Sequence, residues 1–257
     1  MNNLSPILNI LNKSIRASGK KIIRDFGEIE KLQGSLKKTE NFIKIAESSL
    51  LNEVIYILKK IRPNFEIQSI SDPKENCWIL DSIDSKINFS RGNENFFIAV
   101  SLKENNKILA SVFYNPIKDE NFYFQTGLGG YKNDYRVRVS ETKKIKESIF
   151  SFFCHPKQLI ENEILGDIRK LLKKNKVETR ESGSIIYDLC MLVSGKIDCF
   201  IYSTTIMDQK EISGLVLSET GGFIEEIMLK EKKIFIASNK YIGKIVKEMI
   251  ENIYVFE

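Results

Sequence analysis

Hydrophobic periodicity changes once along this chain, and that change limits the architectures open to it. Leu8, Leu11, Ile15, Ser18, Ile22 and Phe26 keep helical spacing, which predicts an amphipathic helix from about Ser5. Ala46, Leu50, Leu51, Val54, Ile55, Leu58 and Ile61 predict a second helix. It stops at Arg62–Pro63, because a proline disfavours helical backbone in the residue before it. Beyond that point the period shortens. Asn95–Lys103, Lys107–Pro116 and Asn121–Gly127 are short β-rich runs separated by Asn, Lys and Gly, the pattern of an antiparallel meander. Arg136–Ser140 alternates like one more strand.

From about Ile145 strands and helices alternate. Ser148–Cys154, Lys196–Ser203 and Lys233–Ser238 read as strands, and Glu161–Lys174, Ile185–Gly195 and Tyr241–Tyr254 as helices. Asp208 opens a further helix that stops at Gly221–Gly222. The expected fold is therefore an α+β half (1–147) followed by an α/β half (148–257), the two forming layers of one compact body. At 257 residues and 42% hydrophobic composition the chain has enough apolar material for such a core.

Composition removes several function classes. A net charge of +5 from 39 basic and 34 acidic residues is a slight surplus, and the lysine clusters lack the interleaved aromatics of a nucleic-acid surface. Cys77, Cys154, Cys190 and Cys199 form no Cys-x-x-Cys pair, which fits buried free thiols in a reducing compartment. No apolar run reaches membrane-spanning length, so a cytoplasmic protein without a membrane partner is expected. His155 is the single histidine, so zinc sites built on two or three histidines are excluded; beside Pro156 at a strand end it reads as structural or exposed.

The segment richest in chemistry is Trp78–Phe89, where an apolar strand runs into Asp81-Ser82-Ile83-Asp84. Two carboxylates at this spacing can share a hard divalent cation; they can equally cap a turn and a helix start. Asp208 stands before its own helix, and Gly183-Ser184 precedes another.

Taken with Gly19–Gly27, Val112–Pro116, Gly129–Asn133 and Glu219–Gly222, these segments resemble the inositol monophosphatase family in order and spacing. The likeness is greatest to its bacterial extragenic-suppressor, SuhB-like branch. That family carries Asp-Pro-(Ile/Leu)-Asp-Gly-Thr-x-Asn-Phe, Gly-Ser-Ala-Ala-Leu, Trp-Asp and Glu-Ala-Gly-Gly. The resemblance implies a layered αβαβα sandwich with an antiparallel N-terminal sheet and a mixed C-terminal sheet, commonly dimeric. It implies Mg²⁺-dependent hydrolysis of phosphate monoesters at a site between the halves. Asp81, the Ile83 carbonyl, Asp84 and Asp208 would hold metal, and Ser85, Lys86, Gly183 and Ser184 would lie at the phosphate.

The departures bear on the chemistry. Where the family places a metal-binding Gly-Glu-Glu, this chain has Gln68-Ser69-Ile70-Ser71, with Glu66 and Asp72 the nearest carboxylates. Gly-Thr has become Ser85-Lys86, the aspartate that supports the threonine is Glu47, an acidic substrate-reading position is Tyr202, and Trp-Asp is Met207-Asp208. The lysine is expected to crowd the first metal position and pair with Asp81. Mg²⁺ would then be weakly held, at a single position or not at all, with hydrolysis of inositol or sugar phosphates weak or lost. The alternatives are a catalytically inactive scaffold for transcription and ribosomal-RNA machinery, or an anion sensor using Lys86.

Overall fold

The computed structural model describes residues 5–32, 36–68, 74–206 and 208–254. Ser69, Ile70, Ser71, Asp72 and Met207 lie outside the described residues. The chain divides into two units, Met1–Arg136 and Val137–Glu257.

The first unit opens with α1 (Pro6–Leu32) and α2 (Leu36–Ile61). It continues through β1 (Glu66–Gln68), β2 (Cys77–Asp81), the short α3 (Lys86–Ser90), β3 (Ile98–Glu104), β4 (Lys107–Asn115), β5 (Glu120–Gln125), β6 (Gly129–Lys132) and β7 (Tyr135–Arg136). The seven strands form one sheet in sequence order. It is antiparallel except for the β1–β2 pair at its edge. Asn105 and Asn106, both at positive φ, turn β3 back into β4 with a twist that suits a hairpin. The first helix starts and the second ends as the sequence predicts, and α2 begins at Leu36, ahead of the apolar stripe that announces it. Leu8, Leu11, Ile15 and Ile22 join Leu50, Val54 and Leu58 in one core with Trp78, Val100 and Val112 of the sheet. Gly19 permits this close approach, since a Cβ there would meet the Tyr114 ring at 2.5 Å.

The second unit holds β8 (Ile149–Phe153), α4 (Leu159–Lys174), β9 (Glu178–Arg180), α5 (Ile185–Val193), β10 (Cys199–Tyr202), α6 (Gln209–Ser218), β11 (Gly222–Leu229), β12 (Lys232–Asn239) and α7 (Lys240–Tyr254). Its five-stranded sheet runs β11-β12-β10-β8-β9 and is mixed, parallel where β8 meets β9 and β10. Ile164, Ile168 and Leu172 of α4 and Ile242, Val246 and Ile250 of α7 cover one face, against Phe150, Phe152, Cys199 and Ile201. Strand alternation sends Phe200 and Tyr202 to the other face, where the Tyr202 hydroxyl donates to Ser213 Oγ of α6 at 2.9 Å. Among the described residues no helix is long and apolar enough to cross a membrane.

Two expectations change. Arg136–Ser140 is not a continuous strand: the ladder ends at Arg136, and the Val139 N–H donates instead to the Thr220 carbonyl at 3.1 Å. Its alternation reflects a connector whose backbone is satisfied outside any sheet. The sequence reading also passes over β11. Glu225 and Glu226 interrupt its apolar pattern, and an edge strand tolerates them because each meets lysine, Lys247 at 2.9 Å and Lys210 at 2.8 Å.

Gly222 at the start of β11 has no room for a side chain. A Cβ would lie 2.9 Å from the Ser238 carbonyl oxygen and 2.8 Å from Leu217 Cδ2. Gly222→Ala is expected to destabilise by about 1–3 kcal/mol, as overpacking does. Thermal unfolding of the variant checks this, and an unchanged midpoint would contradict the packing described.

Candidate active site

In the first unit, β2 carries the chain to Asp81 on a rigid support, with Trp78 fully buried behind it. The turn that follows is clamped to the head of β3 by two reciprocal bonds. The Phe97 N–H donates to Asp84 Oδ1 at 2.7 Å, and the Asp84 N–H donates to the Phe97 carbonyl at 3.1 Å. Asp84 therefore orders the turn with one carboxylate oxygen. Ile83 and Ser85 are buried. Ser85 precedes α3 without a side-chain capping bond, and Lys86 opens the helix.

Glu47 reaches this turn from α2. Its Oε1 accepts from the Ser82 hydroxyl at 2.8 Å and from the Lys86 ammonium at 2.9 Å. The expected Lys86–Asp81 pair is thus corrected: the ammonium's ion pair is with Glu47, because α2 packing brings that carboxylate over the start of α3. Its field still reaches Asp81. Burial pushes the Asp81 carboxyl up to about 6; Lys86 opposes the rise, Glu47 adds to it, and the backbone bond at Ile83 lowers it.

Ser82 is the participant the sequence reading left unassigned. It stands where the family pattern has proline, and a proline has no hydroxyl to offer Glu47. That substitution was the available signal.

In the second unit, Asp208 sits in left-handed backbone at φ 60, a conformation aspartate tolerates better than most residues. Its carbonyl accepts the Ile212 N–H at 2.8 Å, starting α6, while its side chain makes no capping bond. Helix capping therefore does not explain the carboxylate. Asp208 lines a cavity of about 270 Å³ with Thr204, Thr205, Lys210, Lys233 and Phe235. Glu226 on its wall binds Lys210 and Lys233 at 2.8 and 3.1 Å, and these bonds hold its carboxyl below the usual range.

Gly183 takes φ +79, and Ser184 is the N-cap of α5, its Oγ accepting the Tyr187 N–H at 2.9 Å. The Ser182 hydroxyl donates to Asp188 Oδ2 at 2.8 Å. Tyr202 is fully buried with its hydroxyl on Ser213, and burial pushes that phenol upward. A side chain so enclosed cannot read substrate hydroxyls. His155 is exposed, its Nδ1 accepting the Lys157 N–H at 3.2 Å.

A two-cation carboxylate cage needs acidic oxygens that are uncommitted. Here one Glu47 oxygen accepts from both Ser82 and Lys86, and one Asp84 oxygen accepts from Phe97. Among the described residues no group of three or more His, Cys, Asp or Glu side chains is placed to hold a metal ion.

Comparison with known proteins agrees with the resemblance. The inositol monophosphatase family profile matches residues 3–242. An inositol-1-monophosphatase of Rhizobium meliloti (strain 1021) is 26% identical over 267 residues, covering 96% of this chain and 97% of that protein. A Nus factor SuhB of Buchnera aphidicola subsp. Schizaphis graminum is 29% identical over 204 residues, covering 76% and 75%. The solved structure of extragenic suppressor protein suhB from Bartonella henselae superposes with a TM-score of 0.78 at 25% identity, over 96% of this chain and 100% of that one. With the profile spanning nearly its full length, the chain belongs to the inositol monophosphatase family.

Proposed function

We propose that this protein keeps the family's fold with its Mg²⁺-dependent hydrolysis of inositol or sugar phosphate monoesters weakened or lost. The observation that carries this reading is the 2.9 Å Lys86–Glu47 ion pair. By resemblance these two positions belong to a water-orienting threonine and its supporting aspartate. An ammonium already held by that carboxylate can neither accept a proton from water nor welcome a cation beside it. Any metal retained would be single and weakly held, on Asp81, the Ile83 carbonyl, Asp84 and Asp208. Ser85, Gly183 and Ser184 would then lie at the phosphate.

A second reading, a homodimeric scaffold for transcription and ribosomal-RNA machinery, draws on relatives named Nus factor SuhB, at 29% and 24% identity. In a third, Lys86 holds a phosphate or sulfate directly. Function resides in the site rather than the fold, so activity must be measured.

Phosphate release from inositol-1-phosphate and a panel of sugar phosphates, with Mg²⁺ titrated, tests the first reading. Activity is expected near the level of an Asp208→Asn control. Robust turnover abolished by that substitution would overturn the proposal. Capture of RNA polymerase components by the inactive protein would favour the scaffold.

A further inference from the structure

Asp188 of α5 is a buried titratable group outside the Asp81–Lys86 turn, and it is bonded to the turn that opens its own helix. That turn is Ser182-Gly183-Ser184, with Gly183 at φ +79. Its hydrogen bonds converge on one atom. Ser182 Oγ accepts the Ser184 N–H at 3.1 Å, and it lies 2.8 Å from Asp188 Oδ2 and 3.1 Å from the Ser184 carbonyl oxygen. The same carbonyl accepts the Asp188 N–H at 3.1 Å, the first bond of α5. A hydroxyl has one proton to give, and two acceptors compete for that of Ser182.

The charge on Asp188 decides the competition. A carboxylate can only accept, and a charged acceptor makes the stronger bond, so the ionised group takes the Ser182 proton. A neutral carboxyl has a proton of its own to donate to Ser182 Oγ, and the serine proton then turns to the Ser184 carbonyl. Each of these atoms stays paired in both arrangements, so neither leaves a buried orphan. The surroundings keep both charge states within reach. Burial drives the carboxyl up to about 7, Ser151 of β8 and Ser182 oppose the rise, and the charge of Glu181, itself paired with Arg169 of α4, adds to it.

We propose that Asp188 and Ser182 form a proton-operated switch in the turn before α5, in which loss of the Asp188 proton draws the Ser182 hydroxyl from the Ser184 carbonyl to the carboxylate. The switch acts on Gly183 and Ser184, two residues that the family resemblance places at phosphate, but it stands on the hydrogen bonds and not on that reading.

Backbone amide resonances of Gly183 and Ser184 in the intact protein, followed from about pH 5 to about pH 9, read the switch. A one-proton step centred near pH 7 is expected at both, in step with the Asp188 carboxyl carbon resonance. Asp188→Asn should abolish the step, which separates it from titration of His155, the single histidine. In Ser182→Ala the carboxyl should still titrate while the Ser184 step is lost or much reduced, which separates a relay through the hydroxyl from a field effect on the amide. Amides that stay flat while Asp188 titrates, or a Ser184 step undiminished by Ser182→Ala, would overturn the proposal. So would a carboxyl ionised throughout, with its midpoint below about pH 5. The wild-type titration settles the first and last of these outcomes should either variant fail to fold.

Discussion

Replacing Lys86 with Thr and Glu47 with Asp together is expected to tighten Mg²⁺ binding by roughly 30-fold or more. The basis is electrostatic. Lys86 places an ammonium close enough to Asp81 to oppose the rise in its pKa. A cation bound at Asp81 would feel that charge as repulsion, about 1–4 kcal/mol per unit charge at ~4 Å between water and protein-surface screening. The double substitution restores the hydroxyl and the shorter carboxylate of the family pattern and removes the positive charge. Glu47→Asp alone, which leaves the lysine, should change little. Calorimetric titration with Mg²⁺ decides the matter: affinity unchanged in the double variant would mean that Lys86 does not guard this position. Fold stability should hardly move, because the Lys86 side chain is 59% exposed and such pairs contribute about 0–1 kcal/mol.

The second large effect concerns Asp188. It belongs to α5 and is 3% exposed, and burial pushes its carboxyl from an ordinary 3.8 to about 7, with hydrogen bonds from Ser151 and Ser182 opposing the rise. A folded-state pKa above the unfolded one means that the native state holds its proton longer. Stability is therefore undiminished below about pH 4, falls as pH rises toward 7, and stays reduced above it. At ~1.4 kcal/mol per pH unit the loss approaches ~4 kcal/mol. Asp188→Asn cannot ionise and can still accept from Ser182, so it should escape the loss. Urea unfolding should find the variant close to the parent at pH 4 and more stable by up to ~4 kcal/mol at pH 8. An equal difference at both values would show that Asp188 ionises without penalty.

Much of the fold was legible because hydrophobic period follows directly from backbone geometry. The stripe Leu8-Leu11-Ile15-Ile22 and the run Ile185–Val193 could bury their apolar faces only as helices, and they did. The misses have equally local causes. Arg136–Ser140 alternates without a neighbouring strand, while β11 carries glutamates that its edge position allows. Alternation reports a residue's two faces and says nothing of hydrogen-bond partners.

The site divides along the same line. Sequence alone determined that Asp81 and Asp84 flank a turn after an apolar strand, that lysine stands where a threonine is expected, and that a single histidine rules out zinc sites built on two or three. These are properties of residue type and order. Only the tertiary structure decided that Lys86 turns to Glu47, that Ser82 joins them, that Tyr202 is sealed against Ser213, and that the Asp208 side chain does not cap its helix. Each of these depends on which helix packs over which strand. An ammonium or hydroxyl takes the nearest available oxygen, and distance in space is fixed by packing rather than by position along the chain.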